Sequence, residues 1–145
     1  MSLLEEFLSH KEEQEIVEAI RIAEKKTSGE IRVHIESNCD NDSFEHAIEV
    51  FHYLKMDNTK LQNGVLIYIA ISKKEFVIYG DKGINDIVGL TFWNSTKDKI
   101  VHQFKSGNFK QGLIDGIVEI GKVLSEHFPW NHNDFNELDN TISKG

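Results

Sequence analysis

Residues 63–80, NGVLIYIAISKKEFVIYG, decide how this chain folds. Residues 65–71 are continuously apolar and rich in β-branched side chains, the pattern of a central strand covered on both faces. SKKE, residues 72–75, supplies a short polar connection, and FVIYG, residues 76–80, resumes the strand pattern. Two strands joined so closely form an antiparallel hairpin. A strand buried on both faces then demands helices above and below its sheet.

The flanking sequence supplies those helices. Ser9 with Glu12 three residues later has a capping-box pattern, and Ile16, Ala19, Ile20 and Ala23 repeat at helical spacing. Lys25 and Lys26 fall in the last turn and Gly29 stops the helix. Ile31, Val33 and Ile35 then alternate with Arg32, His34 and Glu36, which predicts a strand with one apolar face. Asp42 or Ser43 caps a second helix whose predicted buried stripe is Phe44, Ala47, Ile48, Phe51 and Leu54. Beyond the hairpin, GDKGIND reads as a turn region. Trp93, Ile100, Val101 and Phe104 then share one helical face. A last helix buries Phe109, Leu113, Ile117, Ile120 and Leu124. Gly112, Gly116 and Gly121 are unfavourable there by propensity, so they mark close approach to another element. The predicted order is α-β-α-β-β-α-α. It defines a single-domain α/β sandwich with a mixed sheet of three to four strands and helices on both faces. Residues 1–138 make the domain and residues 139–145 a polar tail.

The 145 residues suffice for one core, and the net charge of −8 argues against nucleic acid and anionic lipid as partners. The single cysteine, Cys39, excludes an intramolecular disulfide and a cysteine-based zinc site. Glu5 and Glu6 interrupt the first apolar residues, so no signal peptide is expected, and residues 65–71 are too short to span a bilayer. The expectation is a cytoplasmic monomer.

Topology selects the candidate site. Strands one and two, joined by a helix, run parallel with a right-handed crossover, and the hairpin reverses strand three. Glu30, Gln62, Asn63 and Asp81 therefore fall on one edge of the sheet, with Asp86 close behind. Carboxylates beside amide and backbone oxygens suit Ca²⁺ or Mg²⁺. The same Asp–Gly pairing also makes an ordinary turn. Asp40 and Asp42 form a second acidic candidate at the opposite edge. Asn38, Asp40, Asp42 and Glu49 mimic EF-hand spacing, but Ser43 stands where that loop needs glycine. The seven histidines contain no HExxH motif, and no GxSxG elbow or Walker loop occurs.

TSGEIRVHIES, NGVLIYIAISKKEFVIYGDKGIN, FKSGNFKQGL and IGKVLSEHFP follow one another with a spacing that resembles the TPM domain family over residues 3–138. The resemblance implies an α/β sandwich and divalent-cation binding, calcium in particular. Plant thylakoid members of the family are linked to photosystem II repair and acid phosphatase activity. Positions that match residue by residue are Glu30 in SGEIRV and Asp81 in YGDKG; longer members carry a GYG-LEG-like turn there. The first expectation is a Ca²⁺- or Mg²⁺-binding accessory or interaction module. Asp81 and Glu30 lead as ligands, and Asp86, Asp40 and Asp42 are alternates. The alternative is a metal-assisted phosphomonoesterase in which Lys82 or the amides of residues 81–83 hold phosphate. A third reading docks an unidentified protein partner on Phe128, Trp130 and Phe135.

Overall fold

Each predicted helix and strand forms in the computed structural model, which describes residues 7–130 and 141–145. Ser9 caps α1 (His10–Glu24) through a complete capping box with Glu12. The chain continues through β1 (Glu30–Glu36), α2 (Ser43–Tyr53), β2 (Gly64–Ala70) and β3 (Glu75–Gly80). It ends in α3 (Lys82–Lys105), α4 (Phe109–His127) and β4 (Ser143–Lys144).

The sheet order is β3-β2-β1-β4. β1 and β2 run parallel, with Glu30 opposite Gly64, and β3 pairs antiparallel with β2, with Gly80 opposite Val65. Every residue of β2 is buried, as its unbroken apolar run predicts. Ser143 and Lys144, read from sequence as part of a polar tail, instead add a parallel strand beside β1.

Strand alternation sorts the side chains into two layers. Ile31, Val33, Ile35, Val65, Ile67 and Ile69 pack against α1, α3 and α4. Leu66, Tyr68 and Ala70 pack against α2, with Ala47, Val50, Phe51 and Met56. Helices thus cover both faces. Phe44 departs from the predicted stripe: it is 53% exposed, and Val50 takes the buried place. It lies in the first turn of α2, its ring centroid 6.3 Å from that of Tyr79.

The glycines of α4 mark close packing. A Cβ on Gly112 would meet Phe104, on Gly116 Ile100, and on Gly121 Ala23. One boundary moves. The segment after Asp81 is not a turn but the start of α3, which bends only at Gly89 (φ 70°). Asp81 Oδ1 accepts the Lys82 N–H at 2.8 Å as the helix cap. Among the described residues no helix is long and apolar enough to cross a membrane.

Candidate functional site

The register brings the two leading acids to one rim. Glu30 lies opposite Gly64, and the Asp81 N–H donates to Gly64 O at 2.9 Å. Glu30, Gly64 and Asp81 therefore form one row across three strands, spanning roughly 10 Å between the outer backbones.

Their side chains are engaged in different ways. Glu30 is 3% exposed and is hydrogen bonded to Glu24 at the end of α1. Glu24 Oε2 accepts the Ile31 N–H at 2.8 Å. Burial, and then the neighbouring Glu30 charge, push the Glu24 carboxyl up to about 9. Like charges this close repel, which favours a proton on Glu24. Glu24 Oε1 is buried and, among the described residues, receives no N–H or hydroxyl donor. Asn63, itself buried, accepts the Glu30 N–H on its backbone oxygen and donates from Nδ2 to Ser28 Oγ. Asp81 commits Oδ1 to the α3 cap, while its Oδ2 is buried without a partner among the described residues.

The remaining predicted acids lie apart. Asp86 is exposed in the first turns of α3. Asp40 Oδ1 accepts from Asn38 Nδ2 at 3.0 Å, and Asp42 caps α2 by accepting the Glu45 N–H. Among the described residues no three His, Cys, Asp or Glu side chains are grouped to hold a metal ion. Asp42, Asp81 and Asp86 share one feature: all line a groove of about 780 Å³ that follows β3 between α2 and α3. Of the aromatic residues proposed for partner docking, Phe128 packs against the core and Trp130 is 48% exposed; Phe135 lies outside the described residues.

Two features escape a reading of the sequence. One is Glu24, which looks like a solvated helix-end acid. The other lies at the far end of β1, where Glu36 gathers three side chains. Its Oε1 is 2.9 Å from His34 Nε2, its Oε2 is 3.0 Å from His46 Nε2, and Tyr68 OH donates to Oε2 at 2.7 Å. His34 Nδ1 lies 2.9 Å from Ser143 Oγ, which ties β4 into the network. Burial opposes the Glu36 charge, yet these neighbours together hold its carboxyl below the usual range. Burial lowers His34 against the pull of Glu36, and burial with Glu36 raises the Tyr68 hydroxyl. Spacing gives a partial signal, because His34 and Glu36 share one face of a strand, but His46 arrives only through α2. Tyr68→Phe is expected to lower stability by about 1.5 kcal/mol, the loss of one bond to a charged acceptor. A denaturant titration with unchanged slope checks it.

Fold, rim and motifs converge on one class. The family model of the TPM domain matches residues 3–123, and the chain belongs to that family. It is similar to the BA42 protein of the psychrophilic bacterium Bizionia argentinensis, solved by NMR, with 63% identity, full coverage of both chains and a TM-score of 0.92. The N-terminal domain of a P. gingivalis protein shares the fold at 21% identity and a TM-score of 0.70, covering 87% of this chain and 83% of that one. The N-terminal domain of cg2496 from Corynebacterium glutamicum does so at 11% identity and 0.66, covering 90% and 81%. No curated protein matches the chain.

Proposed function

We propose that this protein is a divalent-cation-binding module that takes Ca²⁺ or Mg²⁺ at the sheet rim, on Glu30 and Glu24. One observation carries the reading. Two carboxyl groups are packed together at the start of β1, and their repulsion with burial favours a proton on Glu24. A hard dication can take the place of that proton, and oxygen ligands favour Ca²⁺ or Mg²⁺ over metals that prefer nitrogen or sulfur. The cation chemistry implied by the TPM resemblance agrees with it. Asp81 is the alternate anchor, since its second oxygen is unpartnered among the described residues, and Asp86 stands beyond it in the groove. Asp40 and Asp42 rank last because each already accepts a local hydrogen bond. The phosphomonoesterase alternative, which places phosphate on Lys82 or the amides of residues 81–83, ranks second, since the Lys82 N–H is already held by Asp81 Oδ1. The hydroxyls of the preceding turn are engaged, Thr27 with Phe128 O and Ser28 with Asn63.

Calcium titration followed by amide NMR tests the proposal. Shifts are expected at Glu24, Glu30 and Ile31. Because the ion competes with a proton held up to about 9, apparent affinity should rise close to tenfold per pH unit between pH 6 and 8. Affinity independent of pH, or shifts confined to residues 38–43, would remove the ion from this rim. Loss of binding in Asp81→Asn with wild-type affinity in Glu24→Gln would move it to the groove.

A further inference from the structure

β3 is an outer strand of the sheet. The Asp81 N–H bonds Gly64 O, and the direction of bonding alternates along an antiparallel ladder. Tyr79, Val77 and Glu75 thus turn their backbone groups toward β2. Phe76, Ile78 and Gly80 turn theirs outward. Natural edge strands are commonly blunted by proline, lysine or a bulge. Residues 76–80, FVIYG, carry neither residue, and the register with β2 runs unbroken from Glu75 to Gly80.

This edge forms the side of the 780 Å³ groove. Spread over the roughly 20 Å length of a six-residue strand, that volume leaves a section of about 40 Å², close to that of one added strand. Phe44 stands on the α2 side, 53% exposed, and Leu90 on the α3 side, 73% exposed, with Trp93 lining the wall. A single extended segment enters.

Charge selects its direction. At the Glu75 end, Lys74 and Lys97 make no ion pair among the described residues, and Lys97 Nζ lies 5.8 Å from the Phe76 ring centroid. The acids there, Glu75 and Asp42, are outnumbered by these two lysines together with Lys73, whose Nζ is 3.9 Å from Glu75 Oε1. At the Gly80 end, Asp81 and Asp86 outnumber Lys82. An antiparallel guest begins at the acidic end and finishes at the lysines.

We propose that the outer edge of β3, unpaired among the described residues, binds an extended peptide segment of another protein. The segment pairs antiparallel with Phe76, Ile78 and Gly80, is apolar at alternate positions, basic at its start and acidic at its end. This is β-strand addition, in which main-chain hydrogen bonds hold the guest and side-chain pockets choose it. It does not depend on the cation reading.

The test uses two acetylated, amidated peptides, RVTVTVE and its charge-reversed partner EVTVTVR, with hydrogen exchange read by NMR on the full chain. With RVTVTVE at 2 mM, exchange of the Phe76, Ile78 and Gly80 amides is expected to slow at least tenfold. Val77 and Tyr79, already bonded to β2, should change little. EVTVTVR is expected to bind about fivefold more weakly, and Lys97→Glu to weaken RVTVTVE by about the same factor, as one exposed ion pair allows. No protection by either peptide, or equal protection by both, overturns the proposal. So does a dimer in sedimentation whose Phe76, Ile78 and Gly80 amides are protected without peptide, which would assign the edge to a second copy.

Discussion

Glu24→Gln is expected to raise the thermal midpoint by about 6 °C at pH 8, leave it unchanged at pH 4, and abolish the stabilisation that calcium confers on the wild type. The amide replaces the acid atom for atom: its oxygen can still accept the Ile31 N–H, and its NH₂ can donate to Glu30. The sign follows from where the proton sits. Below the ordinary 4.5 the Glu24 carboxyl is protonated in folded and unfolded chains alike. Between 4.5 and about 9 only the folded chain keeps the proton, so stability falls as pH rises, and the fall ends near 9. Each unit of pH in that window removes at most about 1.4 kcal/mol. Water at the partly exposed rim and relaxation of the pair bring the expected loss at pH 8 to about 2 kcal/mol. A midpoint shift of about 3 °C per kcal/mol suits a chain of this size. Calcium at a hundred times its Kd should stabilise the wild type at pH 8 by about 2.7 kcal/mol and the variant by nothing. Thermal unfolding at three pH values, with and without calcium, reads all of this. A wild-type midpoint that is flat from pH 5 to 9, matched by the variant, would mean that the pair holds no extra proton.

Gly83→Ala is expected to cost about 3 kcal/mol, a midpoint drop near 10 °C, although Gly83 lies in a helix where alanine is ordinarily preferred. A Cβ at this position would stand 2.1 Å from Leu61 O and 2.5 Å from Gln62 O. Both are backbone atoms, so no side chain can swing away. The loop of residues 61–63 is held there because the Ile84 N–H donates to Gln62 O at 3.2 Å and the loop leads directly into β2. Gly107→Ala is the control: its φ of 80° carries backbone strain, but nothing lies within 4 Å of a Cβ there. That strain costs only about 1 kcal/mol. Equal midpoints for the two variants would deny the close approach of α3 to the loop.

Most of the architecture was readable because it rests on local periodicity. The alternation of Ile31, Val33 and Ile35, the unbroken run before SKKE, and the capping box at Ser9 each specify an element from its own neighbours. Parallel pairing of β1 with β2 and reversal of β3 then follow from connection length, which is why Glu30 and Asp81 could be placed on one rim. The failures were tertiary. Asp81 looked like a turn residue because two glycines flank it, but Gly83 is there to meet the loop carbonyls and Asp81 to cap the helix that begins beside it. Phe44 looked buried because its spacing fits the stripe, yet it lies in the first turn of α2 and lines the groove.

The sequence by itself determined the layers, the strand directions and the edge on which the acids collect, since hydrophobic spacing and loop length act over a few residues. Only the tertiary structure decided which acids touch. Five residues separate Glu24 from Glu30, and the two carboxyl groups meet because α1 packs across the start of β1. The network of His34, Glu36, His46 and Tyr68 likewise draws on two strands and a helix. Periodicity shows which way a side chain faces, but burial and distance, which set its charge, arise only when separate elements close on one another.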